Sequence, residues 1–309
     1  MTNLESKQPQ HTVETIGRSG GRWSVRLDAA HEAAFPADIF PDYASFVNAP
    51  GTPMKDEPRT HIRLLRHDGA DTDTPDPSFV LKHYKYPLRA QFRTWYIRSK
   101  AHCEYDTLKY CIASGLPAVT PVACGVERTR AGSVKSCFIV TRYVDGFTCL
   151  RDWLRERPSL SLDQQRALRA LVAEVGGHLR RLHTARFFLG RLMGKNILVR
   201  YVDDAKFDWF LIDQPYARFC KPTILARALQ LRDLGAFAGS LYDHGHEAAT
   251  EAFFEAYLPD PLGATDAALR RRASHGIRIY HNETLPRRMF KRPKRILKNK
   301  IREWRGLKK

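Results

Sequence analysis

Four side chains far apart in the sequence have the types and the order needed to hold a phosphorylated nucleotide and its divalent ion. Lys82 stands in the strand-like segment FVLKHYK and Glu104 follows 22 residues later. Asn196 opens the apolar run Asn-Ile-Leu-Val, and Asp213 comes 17 residues beyond it in Leu-Ile-Asp. A lysine ammonium can neutralise α- and β-phosphates, but its flexible stem needs a fixed acidic partner, the role open to Glu104. Asp213 and Asn196 offer oxygen atoms to magnesium, a hard cation that takes oxygen ligands and bridges phosphates. Singly, each residue has a plainer reading: a strand lysine that snorkels to water, a helix glutamate that is solvated. Order and spacing together give the set its meaning.

Such a set needs a sheet and a helix to hold it. Segments 22–27, 61–66 and 78–84 read as strands, the last two separated by the turn-rich stretch DGADTDTPDP. The pattern predicts a helix over 97–114 with Ala101, Leu108 and Ile112 on one side, stopping at Gly115 and Pro117. Strand-like composition returns over 118–127 and 136–144. After Asp145-Gly146 the hydrophobic period lengthens from two residues to about 3.6. Ser161 with Gln164 predicts a capping box opening a helix whose buried stripe is Leu168, Leu171, Val172, Val175, Leu179 and Leu182. A hairpin over 196–202 and 209–212 and helices near 223–243, 247–258 and 265–280 complete the plan. The expectation is an α+β chain: a frayed segment 1–20, a small antiparallel sheet with one helix over 21–144, a larger helical lobe over 145–285, and a tail over 286–309.

Composition removes several classes of function. At 309 residues and 35.4 kDa the chain can bury a full core without a disulfide or metal staple. A hydrophobic content of 43% excludes disordered and fibrous readings. No apolar run approaches the roughly 20 residues of a membrane-spanning helix, and the polar start MTNLESKQPQHTVET has no signal-peptide core, so a cytoplasmic protein is expected. The six cysteines form no Cys-x-x-Cys pair and predict buried, reduced thiols. The net charge of +18 favours an anionic partner, and residues 286–309 alone hold 12 Lys or Arg against one Glu.

The stretches FVLKHYK, SKAHCEYDTLKYCIASGLPAVTPVACGVE, CFIVTRYVDGFTCLRDWL, LRRLHTARF, GKNILV, WFLIDQ and LQLRDLGAF resemble the protein-kinase-like lipopolysaccharide kinases, which phosphorylate Kdo or heptose sugars of the lipid A core. The resemblance covers residues 78–240. It implies a two-lobed protein-kinase-like fold, ATP with Mg2+, and a lipid A core or lipopolysaccharide precursor as partner, met at the inner face of the inner membrane. By the same match Lys82 and Glu104 form an ion pair, the segment from Thr141 to Asp145 hinges the lobes with Thr141 and Tyr143 at the adenine, Asn196 and Asp213 hold the metal, and Asp233 braces the catalytic loop.

The chain departs from that pattern where the acceptor's proton is handled. Family loops read His-x-Asp-Leu-x-x-x-Asn, whereas this chain reads Leu189-Gly190-Arg191-Leu192-Met193-Gly194-Lys195-Asn196. Arg191 stands in place of the aspartate, and a guanidinium stays protonated and cannot act as a base. No carboxylate lies between Arg180 and Val202 to replace it. The Asp-Phe-Gly element reads Asp213-Gln214-Pro215, and Gly17, Gly20 and Gly21 read as a turn too far from Lys82 to cover phosphates. Loss of a base costs about 10² to 10⁴ in rate, while positioning and metal electrostatics remain, with Lys195 and Arg191 available as cations for the moving phosphate. The expectation is a weakened sugar kinase; the alternative is a pseudokinase that binds lipopolysaccharide precursor or regulates a partner kinase.

In the tail, residues 294–309 place Leu297, Ile301 and Trp304 on one helical face among lysines and arginines, the pattern of a helix lying on an anionic membrane surface. A helix docked on the larger lobe is the plainer alternative. Nucleic acid is the remaining anionic class, but no aromatic-rich binding motif accompanies the tail, so it is not the expected partner.

Overall fold

The computed structural model describes residues 15–65, 78–95, 98–202 and 206–258. The chain divides into two compact units, Met1–Trp153 with Lys195–Arg218, and Leu154–Gly194 with Phe219–Lys309. Seven antiparallel strands form the frame of the first: β1 (Thr15–Gly20), β2 (Trp23–Asp28), β3 (Thr52–Glu57), β4 (Thr60–Leu65), β5 (Phe79–Lys85), β6 (Pro121–Arg128) and β7 (Val134–Arg142), in the order β1-β2-β6-β7-β5-β4-β3. One face packs on α1 (Tyr43–Val47), where the Phe46 ring stacks on Phe138 at 5.1 Å and Leu27, Phe79, Leu81 and Val140 complete the core. After the short α2 (Leu88–Gln91), the helix α3 (Lys100–Ala113) packs on β6 and β7.

Four local expectations are corrected. Residues 15–20, polar enough to suggest a frayed end, form edge strand β1, paired from Thr15 opposite Asp28 to Gly20 opposite Trp23. An edge strand gains its bonds from the backbone ladder and needs no apolar run. Helix α3 begins at Lys100, because the Ser99 side chain accepts the His102 amide and caps it there. Its buried row is Ala101, Glu104, Tyr105, Leu108 and Cys111, whereas Ile112 lies one step further round the helix and is 41% exposed. Among the thiols, Cys111, Cys124, Cys137 and Cys220 are buried, while Cys103 and Cys149 are half-buried.

Beyond β7 the chain forms β8 (Thr148–Cys149), α4 (Leu150–Arg155), α5 (Leu162–Thr184), β9 (Phe187–Phe188), the hairpin of β10 (Ile197–Val202) and β11 (Lys206–Leu211), α6 (Thr223–Tyr242) and α7 (Glu247–Tyr257). The hairpin belongs to the first unit. Leu211 makes a parallel bridge with Ala118: its amide donates to the Pro117 carbonyl at 2.9 Å, and its carbonyl accepts from Val119 at 3.1 Å. That bridge ties the end of β11 to the approach of β6.

In the second unit, α5 opens with both bonds of the expected capping box, Gln164 amide to Ser161 Oγ and Ser161 amide to Gln164 Oε1. All six residues of its expected stripe are buried. It packs on α7 at Gly176, where a Cβ would sit 2.6 Å from the Phe253 carbonyl oxygen. The expected helix 265–280 and the tail 286–309 lie outside the described residues. No helix among the described residues is long and apolar enough to cross a membrane.

Gly176 and its neighbour give a paired prediction. A Cβ at Gly177 meets nothing within 4 Å, so Gly177→Ala should stabilise the protein by about 0.5 to 1 kcal/mol through helix propensity. Gly176→Ala should destabilise it by about 1 to 3 kcal/mol, because backbone must move to admit the methyl group. Urea denaturation reads both, and equal effects would contradict the close α5–α7 approach.

Candidate active site

Alternation along β5 turns Leu81 toward α1 and Lys82 toward α3. The Lys82 Nζ lies 3.5 Å from Glu104 Oε1 and makes a direct contact with Asp213 Oδ1. Glu104 is 3% exposed, far from the solvated helix charge that its type alone suggests. Its Oε2 accepts a hydrogen bond from the Tyr84 hydroxyl at 2.8 Å. Asp213 follows β11 and has φ of 56°, a left-handed conformation that aspartate tolerates better than most residues. Asn196 precedes β10. Its Nδ2 donates to the Asp213 carbonyl at 3.2 Å, and its carbonyl accepts from Ile212 at 2.8 Å, so both residues are fixed at the open end of one hairpin.

Electrostatics divide the two carboxylates. Burial raises the Glu104 carboxyl, with Lys82 opposing and the nearby Asp213 charge adding to the rise. Burial would raise Asp213 as well, but Lys82, with Lys195 and Lys100 further off, holds it below the ordinary range. Burial alone would lower the Lys82 ammonium, yet Glu104 and Asp213 together lift it above the usual lysine value.

Several residues of this cluster escape a motif search. Tyr84 lies two residues after Lys82 on the same strand, and its ring has the Lys82 ammonium 5.2 Å and the Lys100 ammonium 5.3 Å from its centroid. Lys100 also reaches the Tyr216 ring at 5.9 Å. The signal for Lys100 was its spacing, four residues before Glu104 on one helix face.

The structure places the remaining candidates as follows. Thr141, on β7, is opposite Val80 of β5. Tyr143 donates its amide to the Ser78 carbonyl at 2.8 Å, and its hydroxyl donates to Asp145 at 3.3 Å. Lys195 is exposed beside the buried Asn196. Arg191 belongs to the second unit, in a loop braced by the fully buried Asp233, whose carboxylate accepts from the amides of Leu189 at 2.9 Å and Leu192 at 3.4 Å and contacts His183 Nε2 at 3.3 Å. The turn at Gly20 and Gly21 sits on the sheet edge opposite β3, whereas on the β3 side the hairpin neighbouring β5 is β3–β4, which contains no glycine. Among the described residues no three His, Cys, Asp or Glu side chains cluster as an all-protein metal cage.

The model of the lipopolysaccharide kinase (Kdo/WaaP) family matches residues 88–257. The chain belongs to this family. The matched stretch contains Glu104, Arg191, Asn196 and Asp213 and begins after Lys82. Among solved structures, that of WaaP in complex with acyl carrier protein is similar over 84% of this chain and 97% of that chain, with a TM-score of 0.58 and 18% identity, which shows the kinase-like fold. The kinase domain of Mycobacterium tuberculosis PknI aligns over 73% of this chain and 94% of that chain, at a TM-score of 0.41 and 13% identity. No curated protein matches the chain.

Two tests address the cluster. Tyr84→Phe removes the buried bond to Glu104 and should cost about 1 to 2 kcal/mol in urea denaturation; an unchanged midpoint would show that the phenol does not hold the carboxylate. Because the Lys82 ammonium is raised in the folded state, its contribution is present below the unfolded value of 10.5 and is lost as pH climbs through the folded value. The stability gap between wild type and Lys82→Met should therefore narrow above that pH, and a constant gap would contradict the pairing.

Proposed function

We propose that this member of the lipopolysaccharide kinase family binds ATP with Mg2+ at Lys82, Glu104, Asn196 and Asp213 and passes the γ-phosphoryl group to a Kdo or heptose hydroxyl on a lipid A core acceptor. The observation that carries the reading is the meeting of Lys82 with both Glu104 and Asp213, the latter 131 residues away in sequence. Magnesium, when bound, would neutralise the phosphates and draw charge from the transferring group. The donor set fits it: the Asp213 carboxylate and the amide oxygen of Asn196, whose nitrogen is already engaged, are oxygen ligands suited to a hard ion that takes much of its shell from phosphates and water.

The chain's own residues would do the rest. Lys82 would trade Asp213 for phosphate oxygens and keep Glu104 as its fixed partner, with Tyr84 holding that carboxylate. Lys100 and Lys195 add positive potential on the Asp213 side, and Thr141 and Tyr143 lie on the strand and its continuation proposed to meet the adenine. Arg191 cannot take the acceptor's proton, so transfer would rely on positioning and charge and run about 10² to 10⁴ slower than with a base. Arg191 and Lys195 would act as cations on the moving phosphate. The basic segment 294–309 would hold the protein on the anionic inner face of the inner membrane.

Arg191 favours a second reading, a pseudokinase that binds the lipopolysaccharide precursor or regulates a partner kinase. Its loop is braced by Asp233 while the base is replaced. Thermal unfolding with and without ATP and Mg2+ comes first: the melting temperature should rise, and the rise should vanish in Asp213→Asn. An unshifted wild-type melt sinks the kinase reading. Transfer from labelled ATP to lipid A core then separates them, since label on sugar supports the kinase and its absence with binding intact supports the pseudokinase. Arg191→Asp should raise transfer at least about tenfold if only the base is missing.

A further inference from the structure

The face of the sheet opposite Lys82 holds a feature that the nucleotide site does not use. Past the end of α1, strands β3, β4 and β5 line a cleft of about 440 Å³. Three cations border it, Lys55, Arg63 and Lys85, together with His61, His83 and a single acid, Asp56. The register puts Asp56 opposite His61 and His61 opposite His83, so these three form one row across the strands. Asp56 Oδ1 contacts His61 Nδ1, which engages the acid and fixes that ring. The ring centroids of His61 and His83 are 6.0 Å apart.

His83 is 8% exposed, and the Nε2 atoms of both His83 and His61 are buried without a hydrogen-bond partner. Unpaired buried nitrogens are costly, and here two of them stand in one cleft. The surroundings select the sign of what would satisfy them. Arg63 reaches the Ala49 carbonyl at 3.5 Å, and among the described residues neither Arg63 nor Lys85 is paired with a carboxylate. Burial first, then the charges of Lys85, His61 and Arg63, lowers the His83 imidazolium to about 4, with Glu127 opposing. Lys55 is paired with Glu57 at 3.1 Å, so Arg63 and Lys85 are the lining Lys and Arg side chains left without a carboxylate, and their charge disfavours a metal ion and favours an anion.

We propose that this cleft binds a phosphate monoester, with Arg63 and Lys85 supplying charge-assisted bonds and His83 donating from Nε2. Lys55, paired with Glu57, stands at the rim. His61, held by Asp56, presents its Nε2 as a second unpartnered nitrogen in the same cleft. The site is separate from the cluster at Lys82, although β5 carries residues of both. A soluble phosphorylated molecule and a lipid headgroup share this chemistry.

The test follows the His83 ring by NMR in the full-length chain, its signal assigned with His83→Gln. Inorganic phosphate is titrated in one arm. Phosphatidylcholine vesicles with or without phosphatidic acid are titrated in the other. A saturable movement of the His83 signal is expected, unchanged in Lys82→Met and weakened at least about tenfold in the Arg63→Gln, Lys85→Gln double variant. Movement with phosphate assigns a soluble ligand, and movement only with phosphatidic acid vesicles assigns a headgroup. Circular dichroism checks that the variants fold, and the wild-type titration stands without them. A His83 signal that neither probe moves, or that moves equally in the double variant, overturns the proposal.

Discussion

Lys82 brings its ammonium between Glu104 and Asp213, and without that charge the first unit would hold two neighbouring carboxylates, one of them fully enclosed, with no counter-ion between them. A buried carboxylate that loses its cation is among the more costly defects a protein can carry. The triad therefore constrains every element that feeds it: the phase of β5 that aims Lys82 toward α3, the row of α3 that buries Glu104, and the conformation of Asp213. The arrangement is also unequal. Burial raises the Glu104 carboxyl, whereas Lys82 holds that of Asp213 below its ordinary range.

What delivers Asp213 to this point is backbone. The bridge between Ala118 and Leu211 fixes the end of β11 against the approach to β6, and the next residue but one is the aspartate. Asn196 closes the hairpin from the other strand through its side chain and its carbonyl. The two oxygens proposed as metal ligands thus sit on a short, tied hairpin rather than on a free loop, and rigidity of that kind is what metal-assisted chemistry requires.

The second unit shows that loop shape and loop chemistry are separable. Asp233 collects two amides and an imidazole in a site closed to water, which holds the segment from Leu189 to Leu192 whatever its side chains are. Replacing an aspartate by Arg191 inside such a brace changes proton transfer and charge while leaving the backbone in place.

The sequence determined the elements that repeat a period or carry a cap. The stripe of α5, its Ser161–Gln164 box and the alternation of β5 follow from local rules that water and sterics impose on any chain. Asp213 and Lys82 were legible as candidates through order and spacing, and the departure from the expected loop pattern was plain from Arg191 itself. Tertiary structure alone decided which edge of the sheet each hairpin occupies, so the glycine turn falls far from Lys82 and β3–β4 beside it. It also decided that Tyr84 would hold Glu104 and that two histidines on the opposite face would share a cleft with Arg63 and Lys85. Those outcomes depend on strand order and register, which are settled by long-range pairing, and no local pattern encodes which strand comes to lie beside which.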